Sequence, residues 1–126
     1  MESPFLRVPP EQWIGSNSLA FAIHDAYPVS RGHALVVTRR VIASWWDATA
    51  EERAALWDLV AAVKLLIDAE CAPHGYNVGV NAGGAAGQTV AHLHVHVIPR
   101  YRGDVPDPRG GVRHVIPGKG NYLARE

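Results

Sequence analysis

Polar and aliphatic residues alternate most strictly at His92-Leu93-His94-Val95-His96-Val97-Ile98-Pro99-Arg100. Side chains at i, i+2 and i+4 of a β-strand share a face. The pattern predicts a strand beginning at Thr89 or Val90 that sends Leu93, Val95 and Val97 into a core. His92, His94 and His96 then line its other surface. Pro99 is expected to end the strand, because proline cannot donate to a sheet ladder. Upstream, residues 13–16 and 19–24 flank Asn17-Ser18 as a hairpin. Residues 25–32 read as a loop punctuated by Pro28 and Gly32. Residues 33–38 form the next strand, with His33 on the same face as Leu35 and Val37 and so drawn towards burial.

The period changes after Thr49. Thr49 followed by Glu52 is a capping-box signature. Leu56, Leu59, Val60, Val63, Leu66 and Ile67 recur at helical spacing, which predicts a long helix with one buried face reaching Cys71. Pro73 and Gly75 stop it. Residues 76–81 read as a strand and residues 82–87 as a glycine-rich loop. Residues 42–47 fit neither period, and Trp45-Trp46 is assigned to packing or an interface. Residues 3–10 read as an extended arm, with a short helical turn opening at Pro9-Pro10-Glu11-Gln12. Beyond Tyr101, prolines and glycines predict an irregular tail, with a short strand at residues 112–116. Several strands, one long helix and further strands make an α+β fold with an antiparallel sheet.

A length of 126 residues, 48% of them hydrophobic, predicts one domain with a sizeable core. The 12 basic and 12 acidic residues cancel, so net charge points to neither nucleic acid nor an anionic membrane as the main partner. Cys71 is the only cysteine, which excludes an intrachain disulfide and a cysteine-rich zinc site. Residues 1–10 lack the apolar stretch of a signal peptide, and no apolar run approaches the ~18 residues that span a bilayer. The expected compartment is the cytoplasm.

Three imidazoles on one face have three readings. They suit a zinc site, nucleophilic catalysis beside a general acid, or a solvated strand face without chemistry. The preceding loop changes the balance. Gly83, Gly84 and Gly87 let the backbone approach a ligand closely, and successive N–H groups in such a loop can nest an anion. Gln88 and Thr89 add neutral donors at its exit. A glycine loop feeding into alternating histidines suggests a phosphate beside a nucleophilic imidazole. The loop offers no carboxylate to stand behind a metal ligand.

These residues carry a family resemblance. The run from His92 to Val97 resembles the histidine triad (HIT) signature, H-x-H-x-H followed by apolar residues. Gly87-Gln88-Thr89-Val90-Ala91-His92 resembles the family's G-Q-[ST]-V-x-H lead-in. Asp25-Ala26-Tyr27-Pro28, followed by Gly32-His33-Ala34-Leu35-Val36, resembles its D-x-x-P and G-H-x-L-V blocks. The resemblance covers residues 5–101 and leaves residues 102–126 as a tail of one HIT domain spanning 1–126. It implies an antiparallel sheet of about five strands with one long helix, usually paired as a homodimer across the helices. Trp57 and Trp45-Trp46 are the candidate contacts.

The resemblance also implies a chemistry. His94 would attack the α-phosphorus of a nucleotide, forming a nucleotidyl-histidine that water then hydrolyses. Its Nδ1–H would be held by the backbone carbonyl of His92. His96 would serve the transferred phosphate and leaving group, and His92 and His33 would complete the polar wall through a hydrogen bond between their rings. Gln88 and Thr89 would hold phosphate oxygens and Asp25 the ribose hydroxyls; Asn81, Gly87 and Ile23 would complete the nucleotide-binding set. The third histidine, His96, groups the chain with the family's hydrolases rather than its uridylyltransferases. The substrate is expected to be a purine dinucleoside polyphosphate or nucleoside phosphoramidate, and the lead-in and Pro99-Arg100 resemble the fragile-histidine-triad branch. Many bacterial relatives bind structural zinc through an N-terminal C-x-x-C and a later histidine. Ser3, Leu6 and Val41 stand at those positions, so no metal and no cofactor is expected. Arg109, Arg113 and Lys119 in the tail could reach a polyphosphate. The rivals are a nucleotide-binding regulator with little turnover, a metal-dependent hydrolase with three histidine ligands, and repair of adenylylated nucleic-acid ends, which the neutral charge disfavours.

Overall fold

In the computed structural model, which describes residues 2–123, the capping box at Thr49 opens the one long helix. The Thr49 hydroxyl accepts the Glu52 N–H at 3.0 Å, and the Glu52 carboxylate accepts the Thr49 N–H at 2.9 Å. Two amides that the helix itself cannot satisfy are thereby paired. Helix α1 runs Ala50–Cys71 and ends on Ala72 in the left-handed region, φ 48°, ahead of Pro73. Leu56, Leu59, Val63 and Ile67 are buried along one stripe, Val60 packs beside it, and Leu66 lies off it, 47% exposed.

Five strands form one antiparallel sheet: β1 Gly15–Ser16, β2 Ala20–His24, β3 Ala34–Thr38, β4 Gly75–Gly79 and β5 His94–Arg100. Their order is β1-β2-β3-β5-β4. Ala20, Ala22, Ala34, Val36, Val95 and Val97 pack with α1 in the main core. The small side chains on β2 let the helix lie close. Phe21, Ile23, Leu35 and Val37 form a second cluster on the opposite face, covered by Phe5, Val8 and Trp13. Register places Val37 opposite His94 and Leu35 opposite His96, so the histidines stand on the face away from α1.

Several boundaries differ from the sequence expectation. Strand β5 begins at His94, because the Leu93 amide bonds the Ile42 carbonyl at 2.7 Å and the chain bends through residues 90–92. It continues through Pro99 to Arg100. The ladder with β3 ends at Val97, and the Pro99 carbonyl accepts the Ser30 hydroxyl at 2.7 Å, so proline's missing donor falls past the end of β3. The arm at residues 3–10 is folded into a 3-10 turn at Pro4–Arg7 rather than extended, while the short turn expected at Pro9 to Gln12 forms as Pro10–Gln12. The tail expected as a strand at residues 112–116 is a 3-10 turn, Gly111–Val115, entered through Gly110 at φ 99°. Residues 42–47 resolve into a further turn, Trp45–Asp47, closed by its own capping box at Ser44. Among the described residues no helix is long and apolar enough to cross a membrane.

Candidate active site

On the face of the sheet away from α1 lies a cleft of about 510 Å³. Its lining includes His94, His96, His33, Asp25, Ile23, Asn81, Gly87, Gln88 and Thr89. Of the residues expected at the site, only His92 lies outside the cleft. Its ring is fully buried.

His92 is fixed at both ends. Its Nδ1 lies 2.6 Å from the Ser3 hydroxyl and its Nε2 lies 2.6 Å from the Thr38 carbonyl. A carbonyl can only accept, so Nε2 carries the hydrogen and Nδ1 accepts from Ser3. Burial pulls the His92 pKa below its ordinary value, with the Thr38 hydrogen bond opposing. The His92 backbone carbonyl in turn lies 2.7 Å from Nδ1 of His94. That places the hydrogen of His94 on Nδ1 and leaves the lone pair on Nε2. Phe5 sets its ring edge-on to His94 at 4.9 Å.

The second relay runs the other way. The Val29 amide donates to Nδ1 of His33 at 3.1 Å, so the His33 hydrogen sits on Nε2. Nε2 lies 3.0 Å from Nδ1 of His96 and 3.5 Å from a carboxylate oxygen of Asp25. Nδ1 of His96 therefore accepts, and its Nε2–H remains as a donor. Burial, then repulsion from His94 and His33, pulls the His96 pKa down to about 4. Burial also lowers that of His33, against the pull of Asp25. His33 thus bonds the ring of His96 and not that of His92. The His92 ring is drawn under the N-terminal turn, whereas His33 shares the cleft face with His96.

Asp25, His33 and His96 offer donor atoms within 4.8 Å of one another, the arrangement among the described residues that could hold a metal ion. A ligating histidine presents a lone pair to the ion and donates its other N–H to an acceptor. His33 does the reverse, since its outer nitrogen receives the Val29 amide. The donor set fits a hydrogen-bond relay and not a cation.

The loop after β4 is held by its own side chains. Gln88 accepts the Gly83 N–H at 2.9 Å and donates to the Ala43 and Val90 carbonyls at 2.6 and 3.0 Å. Both amide hydrogens of Gln88 are thus engaged in shaping the loop, and its side chain borders the cleft. Gly83 and Gly87 take φ 94° and 90°, a region that side-chain-bearing residues avoid. Asp25 accepts the Tyr27 amide at 2.8 Å and also faces the cleft, so it is a turn residue and a wall residue at once.

Ser3, Phe5, Val8, Tyr27 and Val29 contribute to the site without having been expected there. An aromatic inside a proline-rich arm was the available signal for Phe5; nothing local marked Ser3 or the Val29 amide. Arg109 is paired with Asp107 at 2.9 Å and Arg113 donates to the Gly120 carbonyl at 2.9 Å, and neither they nor Lys119 lines the cleft.

Residues 7–103 match the HIT domain family. An "AP-4-A phosphorylase" of Mycobacterium tuberculosis is 39% identical over 72% of this chain and 47% of its own length. A "Bis(5'-adenosyl)-triphosphatase" of Dictyostelium discoideum is 34% identical over 71% of this chain and 60% of its own. The chain thus spans between about half and three fifths of these curated relatives. The solved structure of a zinc-bound histidine triad family protein from Mycobacterium smegmatis superposes with a TM-score of 0.69 at 30% identity, over 79% of this chain and 76% of that one.

Proposed function

The chain belongs to the HIT family, and on that footing we propose that it cleaves nucleotides at the α-phosphate, as a hydrolase or nucleotidyl transferase, through a covalent intermediate on His94. The substrates are dinucleoside polyphosphates or nucleoside phosphoramidates, with a purine base. The observation that supports this most is the 2.7 Å contact between Nδ1 of His94 and the His92 carbonyl, which leaves the Nε2 lone pair for attack. A bond forms from Nε2 to the α-phosphorus, and the bond from phosphorus to the bridging atom breaks with its electron pair leaving on that atom. The His96 Nε2–H hydrogen-bonds the departing atom; a polyphosphate leaves as an anion and needs no proton, whereas a phosphoramidate nitrogen takes one from solvent and leaves as the amine. The positive charge on the nucleotidylated His94 is shared with the His92 carbonyl through Nδ1–H. Water then attacks phosphorus and gives up a proton to solvent, the P–N bond breaks, and its electron pair returns to Nε2. Dividing one displacement into two is covalent catalysis.

Asp25 accepts ribose hydroxyls in this reading, with the lone pairs that the Tyr27 amide leaves. Thr89 and the loop backbone face the phosphates, with Gln88 holding the loop in shape. Phe5 and Ile23 give the base an apolar wall. No metal or cofactor takes part. Ser3, at the position where zinc-binding relatives carry cysteine, uses its hydroxyl on His92. The unit in solution is a homodimer joined through the outer face of α1. Incubation with a dinucleoside polyphosphate followed by denaturing mass spectrometry tests the reading. The wild type should carry one nucleotidyl group, and His94→Ala should carry none while still binding nucleotide. Wild-type turnover with no adduct under rapid quench, or equal inactivity of both proteins on every nucleotide, would sink it.

A further inference from the structure

A second groove, of about 460 Å³, lies on the far side of the histidine wall. It shares His33, His96, Asn81 and Val29 with the catalytic cleft, so the two form one trough divided by those residues. The cleft holds Asp25, the glycine loop and His94. The groove holds none of these; Ile98, Val112 and Val115 are its apolar side chains and Asn77 and His114 its polar ones, while Val78 and Val80 border it from β4 and pack against the core beneath α1. We propose that this groove receives the second nucleoside of a dinucleoside polyphosphate, its base packing against Val112 and Val115 on the C-terminal turn. The inference rests on the function proposed above and specifies its leaving group.

Three observations carry it. The first is continuity: a group departing from the α-phosphorus on the His96 side passes directly into the groove. The second is chemistry. Val112 is 65% and Val115 75% exposed, and Ile116 beside them is 57% exposed. Clustered exposed apolar side chains beside a catalytic wall mark a ligand surface. The neighbouring cations are already engaged: Arg100 with Asp104 and Asn77, Arg109 with Asp107, and Arg113 with the Gly120 carbonyl. The groove is therefore made for a neutral planar group and not for a terminal phosphate or a charged amine. The third is that the wall is built. The Asn121 amide donates to Asp107 at 2.7 Å, and His114 pairs its Nε2 with the Arg109 carbonyl at 2.8 Å. Gly110 and Gly120 lie so close that a side chain on Gly110 would collide with the Gly120 carbonyl. These contacts tie the tail to itself, and the two valines are left exposed.

The test is the pair Val112→Asp and Val115→Asp, made singly and together; both positions are exposed, so the fold tolerates them. Diadenosine tri- and tetraphosphate are the probes for the whole trough, AMP for the catalytic cleft alone. The expected result is a KM for the dinucleoside substrates raised about tenfold, the scale of losing one apolar contact in a pocket. The inhibition constant for AMP and the turnover of adenosine 5′-phosphoramidate should stay within about twofold. Parallel losses on AMP and dinucleoside, no loss on either, or a change only in oligomeric state by sedimentation would overturn the assignment. A wild type that cleaves the phosphoramidate but no dinucleoside polyphosphate overturns this inference alone. One that cleaves neither overturns the proposed function itself.

Discussion

His94 and His96 stand two residues apart on β5 and carry their hydrogens on opposite ring nitrogens. The difference comes from their acceptors and donors: a carbonyl behind His94, a ring N–H behind His96. A row of like residues thereby presents a free lone pair at His94 and an N–H donor at His96. Burial adds a pH signature. The His96 pKa in the folded chain is about 4, below its ordinary 6.5. Between those values the unfolded chain binds the proton and the folded chain does not. Stability from this group is complete above pH 6.5 and is lost as pH falls towards 4. His33 and His92 shift in the same direction and add to the slope. Thermal melts from neutrality to pH 5 should show a falling Tm, and His96→Gln should make the fall shallower. A Tm that is flat, or that rises with acid, would contradict the buried neutral assignment.

Among the elements, the N-terminal turn Pro4–Arg7 links sequence to site most indirectly. Proline at its start and the Ser3 cap are local signals, yet its role depends on where it docks. Ser3 reaches His92, and Phe5 reaches His94. Removing the Ser3 hydroxyl leaves a buried acceptor on His92 unpaired, at a cost of about 1–3 kcal/mol. Ser3→Ala should lower stability by that amount in chemical denaturation. It should also reduce kcat more than it changes KM, because the His92 carbonyl that holds His94 loses its support; Ser3→Thr should restore both. A stable variant with unchanged kcat would separate the turn from the site. Helix α1 was legible in the sequence from Thr49 to Cys71, because capping and 3.6-residue periodicity are local properties. The start of β5 was not, because the bend at residues 90–92 follows from Leu93 pairing with Ile42 across the fold. The turn at Gly111–Val115 was not legible either, because alternating apolar residues read as a strand until two glycines redirect them.

For the molecule as a whole, the sheet places the trough on one side and α1 on the other, with the outer surface of the helix exposed. Trp57 is 47% and Leu65 67% exposed there, and Trp46 beside the helix start is 77% exposed. Trp45 packs against Trp57 at 5.5 Å, which braces that surface. A homodimer is the expected species by analytical ultracentrifugation. Trp57→Glu should weaken it at least about tenfold, since buried aromatics at interface centres dominate affinity. A wild type that sediments as a monomer at micromolar concentration would remove the dimer from the proposed function.

By itself the sequence determined the α+β class, the long helix, and the face on which His94 and His96 stand, because hydrophobic period and capping act over a few residues. It also brought the glycine loop next to the histidines, since the two are contiguous in the chain. Only the tertiary structure decided which nitrogen of each ring holds a hydrogen. His92 depends on Ser3, 89 residues away, and on Thr38, 54 residues away. His96 depends on His33, 63 residues away, and through it on the Val29 amide. A tautomer is set by the partner at each nitrogen, and here those partners meet only when the sheet and the N-terminal turn have assembled.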